Sequence, residues 1–273
     1  MISIITPVYN GERFIESCIQ AVIDQNCPDV EHIIVDGGSS DRTVEIIQEY
    51  AQKYPHIRWI SEKDRGQSDA MNKGINLAQG EIVGFLNVDD FYEPNVLNRV
   101  LEIFKTLPEP SFVAGNCKVI GESGELIEFN QPAKLSLYDL LMYPDRNPYP
   151  YNPAAYFYHA SLHQRVEYYN VDDHYSMDLD FILRAVRVAN LHYVDETWGN
   201  HRRLEGTKTF EDLKAGKTNQ RIIKLYRYYR RYLPLSAQLK LFLQENWIRI
   251  AYVLKYPHKF PKVMQRKLAN MLD

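Results

Sequence analysis

The 273-residue sequence contains only three cysteines, Cys18, Cys27 and Cys117. An odd number, at spacings that suit no metal site, argues against a disulfide-stabilised secreted domain and against a cysteine-based zinc module. Cys18 falls on the apolar side of a predicted helix, where we expect a small buried side chain. A chain of this length can bury a large core without covalent cross-links, and the cysteine usage favours a reducing cytosol.

Long apolar runs are also missing. The first strand-like segment follows Met1 directly, without a basic flank or a long apolar stretch, so we expect no signal peptide. The most apolar late stretch, residues 247–254, is short and contains Arg249, so we expect no membrane span. These features together predict a cytoplasmic protein.

Three motifs of other catalytic classes are absent from the sequence: the Gly-x-x-x-x-Gly-Lys phosphate loop, the Gly-x-Ser-x-Gly nucleophile elbow and the His-Glu-x-x-His zinc motif. His159 and His163 are four residues apart, but no third zinc ligand accompanies them. The pair Gly37-Gly38 is too short to be a dinucleotide-binding fingerprint. The sequence therefore argues against these three classes.

The formal net charge of −3 hides a strong asymmetry along the chain. Residues 214–273 contain 14 Lys and Arg residues against 2 acidic ones, whereas residues 1–213 contain 18 basic and 33 acidic residues. The acidic part can hold cations and supply catalytic carboxylates. The basic, tyrosine-rich tail can meet phospholipid head groups, nucleic acid or the acidic part of the same chain.

Strand and helix patterns alternate over the first ~105 residues, which predicts a mostly parallel sheet with crossover helices. The predicted strands are residues 2–6, 31–35, 58–61 and 82–88, and the predicted helices are 14–25, 41–54, 68–78 and 94–105. Gly80 is expected to end the third helix as its C′ residue.

A different pattern begins after Pro108. Short strands are predicted at 112–115, 117–120, 125–129 and 192–194, a helix at 178–189, and an irregular loop crossing a cleft at 144–153. From Phe210 onward the pattern is helical. The pattern divides the chain into three parts, at 1–108, 109–212 and 213–273, of which the last is a basic helical extension.

Every predicted strand of the first part ends in Asp or Asn within a few residues. Ligands of open α/β sheets bind outside the carboxyl ends of the strands, so these side chains should meet in one crevice. The turn with Pro7 and Tyr9 can frame a planar base, and Asp36 can accept from a uracil imide N–H or a ribose hydroxyl. Asp64 can do the same. The alternative for both aspartates is that they only cap turns or helices.

Asp89 and Asp90 end the apolar segment 82–88, and such paired acids predict a bound divalent cation or a perturbed proton. Mg²⁺ or Mn²⁺ takes oxygen ligands from one or two carboxylates and from substrate phosphates. Alternate side chains of a strand share a face, so Asn87 and Asp89 should point the same way. Asp90 then supports Asp89 or binds a sugar hydroxyl; the alternative is that both acids cap the helix near Pro94.

Four segments of the first part, in order and at fitting separations, resemble the signature blocks of family 2 glycosyltransferases: 4–10 (IITPVYN), 35–41 (VDGGSSD), 62–74 (EKDRGQSDAMNKG) and 85–90 (FLNVDD). Members of that family are inverting enzymes with the GT-A fold that use nucleotide-activated sugars. The resemblance implies an α/β, Rossmann-like, mostly parallel sheet flanked by helices, followed here by a helical C-terminal extension. It also implies that 1–108 is a nucleotide-sugar-binding half and 109–212 an acceptor-binding half.

The resemblance also implies roles for individual residues. Residues 87–89 stand in the place of the family's Asp-x-Asp metal motif, with Asn87 as a weaker ligand and Asp89 as the essential one. The nucleoside and the rest of the donor would be held by the other matching positions: Thr6, Pro7, Tyr9 and Asp36 at the nucleoside, and Asp64, Gly66 and Asp69 at the ribose and donor side.

A later segment, 175–184 (YSMDLDFILR), is similar to the family's acidic motif at the start of a helix facing the acceptor. Asp178 matches the general base, which takes the proton of the attacking acceptor hydroxyl. Met177 stands where the family often has Glu, and the alternative role for Asp178 is a helix N-cap. Asp180 has the spacing for an ion pair with Arg184 and is expected to be structural.

Residues 201–208 resemble the family's loop that closes over the donor. This segment contains His201, Arg202, Arg203 and Lys208. His201 would be a further metal ligand or a diphosphate contact, and Arg203 a donor contact, because the leaving diphosphate needs cationic neighbours. A solvated basic surface loop is the alternative.

Residues 221–232 alternate aromatic and basic side chains on a predicted amphipathic helix. Three uses fit this pattern: contact with an anionic membrane where a lipid-linked acceptor lies, packing on the catalytic body or on a second copy, and nucleic-acid binding, which we do not expect.

These observations predict a cytoplasmic, metal-dependent inverting glycosyltransferase, active at the inner face of a membrane if its acceptor is lipid-linked. The donor is expected to be a UDP-sugar, the cofactor Mn²⁺ or Mg²⁺, and the acceptor a polysaccharide or glycolipid. Two alternatives stay open. A sugar-nucleotide nucleotidyltransferase would need a basic Gly-rich loop after the first strand, which residues 7–10 do not supply, and a non-catalytic module would work through the basic tail.

Overall fold

A computed structural model describes residues 1–142, 148–207, 210 and 217–255. Parts of three predictions lie outside these residues: the start of the cleft-crossing loop at Pro144, the contribution of Lys208, and the helical pattern after residue 255.

The first part of the chain forms the alternating strands and helices that its apolar pattern predicts. The elements are β1 (Ile2–Val8), α1 (Ile15–Ile23), β2 (Val30–Asp36), α2 (Thr43–Lys53), β3 (Ile57–Ser61), α3 (Gln67–Leu77) and β4 (Ile82–Phe85). Strands β3, β2, β1 and β4 are neighbours in that order and all pair in parallel. This confirms the predicted α/β class with crossover helices.

The second part extends the same sheet with mixed pairing. It contains β5 (Phe91–Tyr92), α4 (Val96–Phe104), β6 (Ser111–Ile120), β7 (Leu126–Asn130), α5 (Leu137–Leu140), β8 (Tyr156–His159), α6 (Met177–Ala185), β9 (Asn190–Arg202), α7 (Lys217–Arg230) and α8 (Leu235–Lys255). Among the described residues the sheet has the order β3-β2-β1-β4-β8-β6-β9-β5, with β7 paired to β6. Strand β8 is antiparallel to both β4 and β6, and β9 runs parallel to β6.

Helices cover both faces of the sheet. On one face Phe85 and Tyr156 pack in a cluster with Phe181 of α6, and this cluster also takes in Tyr226 of α7 and Leu241 of α8. The opposite face packs against α1 and α4 in clusters that include Ile4, Ile15, Cys18, Leu97 and Trp198. Cys18 is fully buried there, as predicted. The C-terminal helices therefore share the core of the body.

The segment before the paired aspartates differs from the prediction. β4 ends at Phe85, and residues 87–90 form a turn in which the Asp90 amide donates to the Asn87 carbonyl at 3.0 Å. The alternation of strand faces therefore does not apply to Asn87 and Asp89. The apolar character of 86–88 comes from packing in the turn: Leu86 is fully buried and Val88 packs on two core clusters.

Of two other local predictions, one is confirmed in part and one is wrong. The predicted strand 192–194 is part of the 13-residue β9, whose polar second half follows β6. Gly80 is not a left-handed C′ residue, since Ala78 ends α3 in extended conformation and Gly80 does not have a positive φ. A Cβ at Gly80 would lie 2.6 Å from Ser3 Oγ, so glycine is needed for close packing on β1.

Candidate active site

A cavity of about 620 Å³ opens at the carboxyl ends of the parallel strands. Pro7 and Val8 line it from the end of β1, Asp64 from the loop after β3, and Asp89 from the turn after β4. The start of α6 lines another part of the wall through Asp178. The predicted convergence of strand ends on one crevice is therefore observed for these residues.

The end of the cavity formed by the loops after β1 and β3 combines an aromatic ring with a carboxylate. The ring of Tyr9 is 64% exposed beside Pro7. Asp64 Oδ1 accepts from the Gly66 amide at 2.8 Å, which orients the carboxylate. Gly66 has φ of +117°, a conformation that favours glycine, and a Cβ there would lie 3.0 Å from His174 Nδ1.

The second glycine at this end, Gly37, determines how closely the loops after β2 and β3 approach. A Cβ at Gly37 would lie 2.5 Å from Asp64 Oδ2. The glycine therefore lets the Asp64 carboxylate lie against the β2 turn.

Three of the predicted donor-binding residues lie behind the cavity wall. Thr6 is fully buried, and its hydroxyl contacts His32 Nε2 at 2.9 Å; burial lowers the pKa of His32 to about 3. The Asp36 carboxylate accepts from the Gly38 and Ser39 amides and from the Ser61 and Ser39 hydroxyls. Asp69 accepts from the Arg65 amide in the first turn of α3. In this structure they organise the loops that carry Pro7, Tyr9 and Asp64.

Asp90 is the centre of a hydrogen-bond network beneath the cavity and is 1% exposed. Its Oδ1 lies 3.1 Å from both His201 Nδ1 and the Arg202 amide. Its Oδ2 accepts from Asn87 Nδ2 at 3.0 Å and from Asn152 Nδ2 at 2.8 Å. With both oxygens occupied and no surface on the cavity, Asp90 positions its neighbours, which favours the supporting role over a direct bond to a sugar hydroxyl.

Asp89 lines the cavity above this network. Burial, reinforced by the negative charge of Asp90, raises the pKa of Asp89 to about 6. Burial lowers the pKa of His201, but the hydrogen bond to Asp90 and the charges of both aspartates raise it more, so the net shift is upward. The backbone amide of Asp89 and the charges of His201 and Arg202 oppose the rise in the pKa of Asp89 without cancelling it.

A divalent cation fits these residues only if it takes most of its ligands from elsewhere. The described part of the chain contains no group of three or more His, Cys, Asp or Glu side chains that could hold a metal ion. Asp89 offers a carboxylate, and His201 offers Nε2 because its Nδ1 faces Asp90. Mg²⁺ and Mn²⁺ are commonly bound by one or two protein ligands together with substrate phosphates and water.

Asn87 has both ends of its amide engaged. Its Oδ1 accepts from Gln67 Nε2 at 2.9 Å, and its Nδ2 donates to Asp90. An aspartate here would place a carboxylate against Asp90 where the Asn87 amide now donates a hydrogen bond. The contact with Asp90 therefore explains why the first position of the predicted metal motif is Asn.

Asp178 lies in the first turn of α6, with Ser176 at the N-cap position. It faces the cavity, which distinguishes it from the N-cap alternative. Burial raises the pKa of Asp178 to about 7, against the opposing effect of the Tyr156 hydroxyl at 3.4 Å from Oδ1. Asp180, two residues on, has the expected ion pair with Arg184 at 2.9 Å.

Several lining residues were not named as site residues by the sequence analysis. Tyr149, Tyr151 and Asn152 belong to the end of the predicted cleft-crossing loop, which was the available signal for them. Arg203, a predicted donor contact, lines the cavity and pairs with Glu128 of β7 at 3.0 Å. No local signal pointed to Glu128, or to the cavity-lining residues of α7, Thr218, Arg221 and Ile222.

The Arg221 guanidinium lies 3.9 Å from the centroid of the Tyr175 ring, and both residues line the cavity. This contact joins α7 to the loop that leads into α6. The basic tail therefore contributes to the wall of the candidate active site.

Comparisons with known proteins agree with this geometry. The model of the family described as glycosyl transferase family 2 matches residues 3–177. A chondroitin synthase of Escherichia coli is 34% identical over 134 residues, which cover 48% of this chain and 20% of that protein. The chain thus spans about a fifth of that relative's length.

Solved structures with the same fold include complexes with nucleotide sugars. S. aureus TarS 1-349 in complex with UDP-GlcNAc has a TM-score of 0.65 at 18% identity, covering 87% of this chain and 69% of that one. The mannosyltransferase PcManGT from Pyrobaculum calidifontis, with GDP-Man and Mn²⁺, has a TM-score of 0.62 at 15% identity, covering 99% and 79%. None of the helices in the described ranges has the length and hydropathy needed to cross a membrane.

Proposed function

Since the chain belongs to glycosyltransferase family 2 and is a glycosyltransferase, we propose that it transfers a sugar, with inversion, from a UDP-sugar to a saccharide or lipid-linked acceptor. The observation that carries this proposal is that Asp89 and Asp178 line one cavity. Asp89 lies in the turn after β4, at the carboxyl ends of the parallel strands. Asp178, whose pKa is raised, lies in the first turn of α6 on the other wall. Asp89 suits a cation that neutralises the leaving diphosphate, and Asp178 suits a base for the attacking hydroxyl.

The nucleoside of the donor is proposed to bind between Pro7, Tyr9 and Asp64. The exposed Tyr9 ring offers a stacking surface, and Asp64 Oδ2 can accept from a uracil imide N–H or a ribose hydroxyl. Gly66 allows the backbone to approach the donor closely. TarS was solved with UDP-GlcNAc and PcManGT with GDP-Man, which supports a nucleotide sugar and leaves the base to be measured.

Mn²⁺ or Mg²⁺ is proposed to be held by Asp89 and by His201 Nε2. When bound, the cation would neutralise negative charge that develops on the leaving diphosphate. The chain itself adds positive charge at this cavity through Arg202, Arg203 and Arg221. The PcManGT complex with Mn²⁺ supports the choice of metal.

The acceptor hydroxyl is proposed to be deprotonated by Asp178. Its oxygen forms a bond to the anomeric carbon from the face opposite the diphosphate, the bond from that carbon to the diphosphate oxygen breaks, and the proton passes to Asp178. A pKa of about 7 suits a base that works near neutral pH. The Tyr156 hydroxyl near Oδ1 orients the carboxylate.

The acceptor is proposed to be a saccharide chain or a lipid-linked sugar. Tyr149 and Tyr151 line the cavity, and their rings contact each other edge to face, which suits the apolar face of a sugar ring. A relative that is a chondroitin synthase supports a saccharide acceptor. With a lipid-linked acceptor, the enzyme would work in the cytoplasm at the inner face of the membrane.

Calorimetry combined with a transfer assay tests this function. UDP-, dTDP- and GDP-sugars are titrated into the protein with and without Mn²⁺, and the UDP-sugar is expected to bind best, with Mn²⁺ strengthening the binding. Asp178→Asn should keep donor affinity and lose transfer by a factor on the order of 10²–10⁴, because only the base is removed.

Asp172→Asn, at an exposed position in the same loop region, is the matched control and should transfer at the wild-type rate. Near-normal transfer by Asp178→Asn would eliminate Asp178 as the base. Absence of binding by every nucleotide sugar would overturn the donor assignment.

A further inference from the structure

The outward side of α8 is strongly apolar. Leu241 of this helix is 2% exposed and packs in the main core cluster, which fixes the side that faces the body. The opposite side carries five exposed large apolar side chains: Leu235 (83%), Leu239 (58%), Phe242 (58%), Leu243 (58%) and Trp247 (69%). Spacings of three, four and eight residues place them on one face of the helix.

This face differs from the neighbouring helix α7, for which the sequence pattern left open both membrane contact and packing on the catalytic body or a second copy. Tyr226 and Tyr229 of α7 are buried, and the Tyr229 hydroxyl donates to Asp180 Oδ1 of α6 at 2.7 Å. The aromatic side chains of α7 that pack on the body are therefore not available to an external partner. A contiguous exposed apolar surface of the kind seen on α8 marks an interaction site.

Charge distinguishes between the partners that could cover this face. Residues 214–273 contain 14 basic and 2 acidic residues, a net charge of +12. Two copies that met through this part of the chain would bring two such charges together, whereas an anionic lipid surface complements one. Apolar side chains in a stretch of sequence rich in Lys and Arg are the composition of helices that lie in the head-group region of a bilayer.

We propose that the outward face of α8 docks on the surface of an anionic lipid bilayer, with Leu239, Phe242 and Trp247 inserted among the lipids. Because α7 both precedes α8 and lines the cavity through Arg221 and Ile222, docking would hold the cavity close to the membrane. This proposal concerns binding alone and does not depend on the donor or the base assigned above.

Vesicle binding by the full chain tests the proposal. Vesicles of phosphatidylcholine with phosphatidylglycerol are compared with vesicles of phosphatidylcholine alone, by co-sedimentation and by tryptophan emission. We expect binding to the anionic vesicles only, weakened by salt, and a blue shift in emission that Trp247→Phe removes. The buried Trp198, 1% exposed, should not respond.

The double variant Leu239→Ser/Phe242→Ser should bind the anionic vesicles at least about tenfold more weakly than the wild type, because it removes inserted apolar groups. Both positions are exposed, so the fold should be kept, which the melting temperature checks. The matched control is Leu126→Ser/Phe129→Ser on β7, where a leucine and a phenylalanine are 61% and 45% exposed; this variant should bind like the wild type.

Three results would overturn the proposal. The first is equal vesicle binding by the α8 variant and the wild type. The second is a dimer in solution in which Trp247 is shielded from a soluble quencher and which the α8 variant converts to a monomer. The third is a monomer in which Trp247 is already shielded without vesicles, since the chain itself would then cover the face.

Discussion

Asn87 illustrates how a single residue departs from a motif for a structural reason. Its amide joins Gln67 to Asp90, and Asp90 in turn holds His201 and the Arg202 backbone amide. An amide can donate to a buried carboxylate, whereas a second carboxylate cannot. Asn at this position therefore stabilises the base of the cavity, and it leaves Asp89 as the carboxylate of the turn 87–90 that lines the cavity.

Asn87→Asp should destabilise the metal-free protein by about 1–3 kcal/mol, because it removes a donor from buried Asp90 and adds a like charge. Urea denaturation in the presence of EDTA measures this loss. Added Mn²⁺ should restore part of it, because the new carboxylate is a further oxygen ligand.

Asn76→Asp is the control for this change. Asn76 is exposed, and its Oδ1 accepts from the Tyr168 hydroxyl, a role that an aspartate keeps. If Asn87→Asp proved as stable as this control in EDTA, the network around Asp90 would contribute less than its geometry indicates.

Asp178 is expected to reduce stability as the pH rises. Burial raises its pKa from 3.8 to about 7, so between these values the folded state holds a proton that the unfolded state has released. Stability is then lost through this window, and the full cost is present above pH ~7. Asp178→Asn should raise the free energy of unfolding at pH ~8 by on the order of 2 kcal/mol, and by less at pH ~5.

Thermal or urea unfolding of Asp178→Asn and Asp172→Asn at both pH values checks this expectation. The exposed Asp172 should show no such pH-dependent gain. A constant difference between Asp178→Asn and the wild type at the two pH values would mean that the Asp178 carboxyl titrates normally.

At the scale of elements, β9 and α7 complete the site from the second part of the chain. β9 follows β6 and brings His201 next to Asp90 through backbone pairing of Val119 with His201. α7 packs on α6 by burying Tyr226 and Tyr229 and reaches the cavity with Arg221. Deletion from residue 215 onward would therefore remove cavity wall and core together, which makes point variants the sharper test.

Tyr229→Phe should loosen the contact between α7 and α6. It removes the hydroxyl that donates to Asp180 at 2.7 Å and is expected to cost about 1 kcal/mol in the free energy of unfolding. Hydrogen exchange of α7 amides should rise with it. Tyr228 is the neighbouring residue and is 49% exposed, so Tyr228→Phe should change neither the free energy of unfolding nor the exchange of the α7 amides. An equal effect of both variants would contradict the docking of α7 by Tyr229.

At the scale of the whole molecule, the cavity joins residues distant in the sequence, from Pro7 to Ile222. A ligand that contacts several of these walls stabilises the folded state in proportion to its occupancy. UDP at roughly a hundredfold excess over its Kd should raise the free energy of unfolding by about 2.7 kcal/mol. At one fixed UDP concentration, Mn²⁺ should increase the stabilisation by tightening UDP binding.

Differential scanning calorimetry with UDP, with and without Mn²⁺, measures this gain. Asp89→Asn should abolish the contribution of Mn²⁺ while the effect of UDP alone persists. Full Mn²⁺ dependence in Asp89→Asn would show that the cation is held elsewhere.

Part of the fold and of the site was predictable because local patterns carry it. The apolar runs of β1, β2 and β3 and the helical spacing of α1 gave the parallel first part, and strand-end positions gave Pro7, Tyr9, Asp64 and Asp89. Polar segments were harder to predict. The second half of β9 is polar because it supports a site, so its sequence does not resemble a buried strand.

The sequence by itself determined the class of the fold and the family of the enzyme, because apolar periodicity and motif spacing are carried by short stretches of the chain. Only the tertiary structure decided which acids face the cavity and which lie behind it. Asp36 and Asp90 have the same side chain as Asp64 and Asp89, but their oxygens are satisfied by backbone and side-chain donors, several of them from distant segments. Such donors come together only when the chain is folded, as do the α7 residues that close the cavity.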